Sequence, residues 1–385
     1  MSDNVSNLKK ARPPWKRILA LALLISLVLA AVVLIAFRDR LNPGALRRML
    51  RRMNASGGES AVRFSYDEHN DDRFADFSGG LAVASVTGLS VYDAKGAELS
   101  SVQAALSSPA LRSNGSVALA YDAGGYRLQA VTESGGSVLS LTAERPILDA
   151  DLSEDGCICY VSSLPGYKSV LCVYNAQQEL IYRWNSASQY MPRCALSKGA
   201  KLLAAAALGQ SDGMYESSVV LFRTDEAEPF LTVSLGNDLI YELRFVDEQT
   251  LAAVCESRTY FLNVTTGAKS VYDYQGLYLK DYVLDGSGFL TLLLNMYKAG
   301  NHCRLLTVDA SAQELGSLQL DAQVLGLSAA GECVGVLSSE ALTVYDRALT
   351  EKGRTQEISG MTDLVVRKDG TAILLGGGHG EIILP

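Results

Sequence analysis

An apolar residue, a short polar turn and a glycine four places on recur at a nearly constant interval along this chain. Leu111 and Gly115 ("LRSNG"), Leu152 and Gly156 ("LSEDG"), Leu284 and Gly288 ("LDGSG"), Leu327 and Gly331 ("LSAAG"), and Val366 and Gly370 ("VRKDG") obey the pattern. Phe77, Leu196 and Phe245 hold the same place with looser turns. From Phe77 to Val366 there are seven steps of about 41 residues, close to the ~40–45 of a four-stranded propeller blade. Between these anchors the apolar residues alternate in short runs, which is the period of strands. Each unit reads as an anchor strand, a tight turn, a strand of small residues such as "LAVAS" or "KLLAAAA", a third strand, and a polar outer strand. The third strand and its exit turn are written three times in nearly the same words, as "LSVYDAKGAEL", "LCVYNAQQEL" and "LTVYDRALTEK". One such sheet cannot bury both its faces, so neighbours must stack and the stack must close on itself. The expectation is an all-β chain forming a β-propeller over residues 61–385, with eight blades, or seven if one of the weaker units is misread.

The ends of the repeat do not match. The last unit, "DLVVRKDGTAILLGGGHGEIIL", has room for only three strands before Pro385, whereas "AVRFSY" (Ala61 to Tyr66) is a lone alternating run ahead of the first anchor. This predicts that the early strand completes the last blade as its outer strand.

Ahead of the repeat stands "ILALALLISLVLAAVVLIAF", Ile18 to Phe37, an uncharged apolar run. At ~1.5 Å per residue such a run spans about 30 Å, the thickness of a bilayer core. It outlasts the ~7–15 apolar residues of a cleaved signal peptide and ends in Arg38, Asp39 and Arg40 without a small-residue cleavage site. It therefore reads as a single transmembrane helix over residues 18–37, a signal-anchor preceded by a short basic cytoplasmic tail, residues 1–17. Residues 38–60 form a basic juxtamembrane segment. Within it, "ALRRMLRRM" places Leu46, Met49, Leu50 and Met53 on one helical face and Arg47, Arg48, Arg51 and Arg52 on the other. That pattern suits a short helix lying in the headgroup layer against anionic lipid; a plain basic linker is the alternative. Basic residues flank the run on both sides, so their count alone does not orient it. If the arginines after it are held by lipid, the large domain lies outside the cell membrane.

Of the 34 basic and 42 acidic side chains, 11 and 2 fall within residues 1–53, which leaves 23 against 40 beyond, near −17. A domain so acidic is a poor partner for nucleic acid. The seven cysteines, Cys157, Cys159, Cys172, Cys194, Cys255, Cys303 and Cys333, are odd in number and irregular in spacing, which is neither a disulfide framework nor a zinc pattern. Most sit in apolar alternating runs, where cysteine serves as a small hydrophobe.

Catalytic signals are weak. His69, His302 and His379 stand far apart in the repeat and lack metal-ligand spacing. "GQSDG" (Gly209 to Gly213) matches a nucleophile elbow in letters only, since the elbow requires a strand-to-helix turn. "GGGHG" (Gly376 to Gly380) lacks the lysine and following helix of a phosphate loop and reads as a hairpin turn. "DEHNDD" (Asp67 to Asp72) clusters carboxylates without the glycine-centred spacing of a calcium loop. No catalytic residue, cofactor or metal ligand is assigned. A more informative feature is the length of three connections between second and third strands, at Leu164–Ser169, Leu208–Ser218 and Asn295–Cys303, each carrying a tyrosine: Tyr167, Tyr215 and Tyr297. In a propeller these connections share one rim, and tyrosine adds contact area at low entropic cost.

"FSGGLAVASVTGLSVYDAKGAEL", "IYRWNSASQYMPRCALSKGAKLLAAAAL" and "SLGNDLIYELRF" behind one N-terminal apolar run resemble a bacterial family of membrane-anchored β-propellers of unknown function, with wider similarity to WD40-like and quinoprotein-like propellers. The resemblance covers nearly the whole chain and implies fold and anchoring; its motifs build blades and transfer no site residue. The tryptophan-docking pattern of quinoproteins is missing, the two tryptophans being Trp15 and Trp184. The expected function is a binding or scaffold module at the cell envelope, touching the bilayer through residues 18–53 and taking an envelope protein or a wall-derived glycan. The alternative is an envelope enzyme, a glycan hydrolase or lyase, working through a pair of carboxylates in the central channel.

Overall fold

Every unit of the repeat folds into a four-stranded antiparallel sheet, and the computed structural model, which describes residues 62–211 and 213–384, holds eight of them. We number the blades 1 to 8 from Arg73 onward. Their inner strands are Arg73–Phe77, Pro109–Ser113, Asp149–Leu152, Tyr190–Leu196, Ile240–Phe245, Tyr278–Val283, Val324–Ala330 and Asp363–Val366. Phe77, Leu152, Leu196, Phe245 and Val366 end these strands, Leu111 and Leu327 stand mid-strand, and Leu284 lies one residue beyond its own. The turn that follows needs a left-handed residue. Gly115, Gly156, Gly288, Gly331 and Gly370 supply it, with φ between +58° and +91°, a region open to glycine at little cost.

The second strands are the most buried. Gly80–Ser85 and Val117–Asp122 are buried at every position, as is Phe289–Asn295. Their small residues face a neighbouring blade at close range. At Gly335, in the second strand of blade 7, a Cβ would strike Val366 and Leu364 on the inner strand of blade 8. Outer strands such as Glu98–Gln103 and Lys269–Asp273 alternate between exposed and half-buried, as a rim must.

The recurring "VYD" phrase has a geometric cause. Asp309 and Asp346 end the third strand and Asp93 and Asn175 stand just past it, and one side-chain oxygen of each accepts two amide hydrogens of the turn. The residue three places on is left-handed in each: Gly96 (+85°), Gln178 (+67°), Ala312 (+62°) and Leu349 (+57°). Beside each turn the pairing of third and outer strands slips by one residue. This is a bulged hairpin, which adds right-handed twist to the sheet.

No blade has a core of its own. The apolar side chains gather into eight clusters, each shared by two adjacent blades. The cluster between blades 8 and 1 joins Phe64, Val365, Ile373 and Leu375 to Leu81, Val83 and Tyr92. Phe64 belongs to Arg63–Ser65, which pairs antiparallel with His379–Ile383 and is the outer strand of blade 8. The ring therefore closes three strands plus one, as the unequal ends of the repeat predict. Arg367 fastens the same seam from the other side, donating to Asp76 Oδ1 (3.0 Å) and the Gly80 carbonyl (3.2 Å).

Two expectations are corrected. Leu164–Ser169 is not an extended connection: Ile158–Leu164 and Tyr167–Tyr174 pair up to a two-residue turn, and Tyr167 opens the third strand of blade 3. Leu208–Ser218 is not a loose loop: Leu202–Ser211 and Met214–Arg223 continue as paired ten-residue strands, so blade 4 carries a lengthened hairpin. Its polar residues misled the reading because a strand that projects past the ring has water on both sides. The apolar run 18–37, the basic segment and Arg47, Arg48, Arg51 and Arg52 lie outside the described residues; among the described residues no helix is long and apolar enough to cross a membrane.

Candidate functional site

Antiparallel order divides the turns of the ring between two faces. Turns joining first to second and third to fourth strands lie on one face. Turns joining second to third strands, and the links to the next blade, lie on the other. The second face carries the exposed apolar side chains. Tyr167, Tyr215 and Tyr297 lie there on blades 3, 4 and 6, at 41%, 47% and 65% exposure. The structure adds Tyr126, Tyr190 and Tyr278 to the same face, with Met214, Met296, Leu239 and Leu325. The remaining large exposed apolar residues among the described ones, Leu99, Leu180, Ile181 and Val271, belong to outer strands. Two lysines lie over this face's rings, Lys168 over Tyr190 (5.0 Å) and Lys298 over Tyr278 (5.7 Å). Tyr190 and Tyr278 open inner strands, and loop length, the only signal used for the other three, does not find them.

The axis of the ring is a cavity of about 900 Å³ lined by inner-strand residues, within the ~300–1,000 Å³ of small-molecule sites. Ion pairs reach across it. Arg112 of blade 2 donates to Glu242 of blade 5 (2.5 Å), and Asp151 of blade 3 stands between Arg112 (3.9 Å) and Arg244 (3.5 Å). Arg244 also approaches Asp285 at 3.9 Å. Asp149 and Asp151 face blade 4, each accepting a backbone amide of its inner strand, from Cys194 (3.0 Å) and Leu196 (2.9 Å). Asp149 takes a further bond from the Tyr121 hydroxyl (2.7 Å). Burial pushes the Asp149 carboxyl up to about 6, although Arg112, the Cys194 amide and the Tyr121 hydroxyl all favour its charged form.

Farther round the channel stand Asp281 of blade 6 and Asp363 of blade 8. Burial raises both carboxyls; Arg73 opposes the rise at Asp363 and Asp281 adds to it. Neither residue was singled out from the sequence. An aspartate at mid-strand carries no local signature until the ring turns that strand toward the axis.

The other motifs stay apart. His69 lies in the link into blade 1, near Asp72 (3.8 Å), His302 pairs with Asp321 (2.6 Å), and His379 opens the third strand of blade 8. Among the described residues no three His, Cys, Asp or Glu side chains converge to hold a metal. "GGGHG" is the expected hairpin turn, at Gly377–Gly378. None of the seven cysteines is in a disulfide, and all but Cys157 are buried.

A model described as a family of unknown function, DUF5711, matches residues 57–372. No curated protein matches the sequence. Among solved structures the chain is similar to the C-terminal WD40 domain of Sif2, at 12% identity and a TM-score of 0.58 over 85% of this chain and 100% of that one. It is also similar to the Dos1 propeller, at 12% identity and a TM-score of 0.55 over 84% and 94%. At such identity the likeness is one of fold.

Proposed function

The chain belongs to DUF5711, a family of unknown function, and from that premise we propose that it is a membrane-anchored propeller whose tyrosine face captures a protein at the cell envelope. The observation that carries the reading is the confinement, among the described residues, of exposed Tyr, Met and Leu to that face and the outer strands. Aromatic residues and methionine are the side chains enriched in protein interfaces. The uncharged apolar run 18–37 supports the anchor, and Arg47, Arg48, Arg51 and Arg52, patterned for one face of a helix that anionic lipid can hold, support an extracytoplasmic ring. The chain enters the ring at Arg63, whose carbonyl lies against Gly96 in an exit turn of the opposite face. The ring's first described strand thus begins on the face away from the tyrosines.

The test is cross-linking in carbonate-washed membranes. The full chain should stay in the pellet and capture a discrete partner. Changing Tyr167, Tyr215 and Tyr297 together to Ser should cut that capture by about 100-fold, three interface anchors at more than ~1 kcal/mol each. Undiminished capture by this variant would refute the proposal. The enzyme alternative is favoured by the Asp281 and Asp363 carboxyls alone, and new reducing ends released from a wall glycan by the purified protein would support it.

A further inference from the structure

We propose that Cys159 and Cys194 close into a disulfide that rivets blade 3 to blade 4. Sγ of Cys159, in the second strand of blade 3, lies 3.6 Å from Sγ of Cys194, in the inner strand of blade 4. Both side chains are buried in the cluster that the two blades share, at 0% and 2% exposure. A disulfide holds its sulfurs ~2.05 Å apart, so each has about 0.8 Å to travel, a distance that small side-chain rotations cover. The backbones already hold the approach. Asp151 pairs with Cys159 within blade 3 and accepts the Leu196 amide (2.9 Å), while Asp149 accepts the amide of Cys194 itself (3.0 Å). Of the two other cysteines on blade 3, Cys172 packs in the opposite seam, with blade 2, and Cys157 stands half-buried at the edge of this one.

The step is an exchange with a disulfide-bearing oxidant. One cysteine, as its thiolate, attacks a sulfur of the oxidant and releases a first thiol; the other attacks the mixed disulfide and releases a second. The bond between Cys159 and Cys194 forms, the oxidant's own S–S bond breaks, and the two cysteine protons end on the two released thiols. Docked blades oppose the first attack. Burial raises the Cys159 thiol, and contact with Cys159 together with burial holds the Cys194 thiol well above its ordinary value, so the reactive thiolate is scarce. Exchange therefore belongs to moments when this seam is open, before the ring closes or during local opening. Afterwards the same burial screens the bond from reductants. The bond joins positions 35 residues apart and restrains the unfolded chain by closing that loop. It also braces the two blades that carry Tyr167, Tyr190 and Tyr215, and it stands whether or not their face binds a protein.

The test is oxidation of the full chain, in detergent, by oxidised glutathione. Urea just below the unfolding midpoint lets the seams open; acid quench, alkylation and mass mapping without reduction follow. Wild type should yield two tryptic peptides joined through Cys194. Cys157 and Cys159 share one such peptide, so Cys157→Ser assigns the bond: the cross-link should persist in it and vanish in Cys159→Ser and Cys194→Ser. The oxidised wild type should unfold at about 1 M more urea than the reduced wild type, a shift absent from Cys159→Ser and Cys194→Ser. If either serine variant does not fold, the oxidised and reduced wild type decide the matter, being one chain. A cross-link to Cys157 or Cys172 instead, glutathione left on Cys159 or Cys194, all seven thiols still free, or an oxidised protein no more stable than the reduced one would overturn the proposal.

Discussion

Asp149 is a carboxyl that the fold holds in two minds. Two donors and a nearby arginine favour its ionised form, and burial disfavours it more. Because its value in the folded protein, about 6, lies above the usual 3.8, the folded state binds the proton more tightly than the unfolded one. The resulting stabilisation is complete below about pH 4 and is lost as pH rises through about 6, at most ~3 kcal/mol. Asp149→Asn has no proton to lose. It should cost stability at every pH, since one of two bonded oxygens becomes a donor, but the deficit should shrink between pH 4 and pH 7. Urea midpoints of both proteins over that range would show it; a constant deficit would mean that Asp149 titrates normally. Asp149 ("DADL") was not recognised from sequence. Its partners Tyr121 and Cys194 lie 28 and 45 residues away, so no local window contains the site.

At the scale of single elements, the exit hairpins were the most legible part of the chain. Their geometry is short-range: an Asx side chain over its own turn, a bulge, and a left-handed residue three places on. Only blade 1 of the four described above puts glycine at that last place. Gln178 is exposed and left-handed at +67°, a conformation costing an L-residue about 1–2 kcal/mol. Gln178→Gly should therefore stabilise the protein by about 1 kcal/mol, after the extra freedom of glycine in the unfolded chain is subtracted. Thermal melts would register an upward shift, and a downward one would mean that Gln178 makes contacts worth more than its strain. Blade 4 was legible in its small-residue strand and illegible in its length. Alternation without burial on either face looks like a loop.

The whole molecule depends on a seam. Eight shared clusters hold eight sheets, so each blade has two neighbours only if Arg63–Ser65 joins the last blade. Phe64 is fully buried there, with its ring edge-on to Tyr92 of blade 1 at 6.2 Å. Phe64→Ala should cost about 3–5 kcal/mol, measured by equilibrium denaturation. A cost below ~1 kcal/mol would mean that the seam does not carry the ring. Repetition made the architecture readable: eight anchors at a regular interval, a surplus strand at one end and a missing one at the other. Strand period, turn chemistry and unit length are properties of neighbours in sequence, and a chain displays them without being folded. The channel is of another kind. Arg112 meets Glu242 across 130 residues and three blades, and Asp281 and Asp363 come to line one channel because the ring curves both inner strands toward one axis. Curvature and closure are collective, arising from the sum of eight blade-to-blade contacts, and they bring together side chains that no interval in the sequence relates.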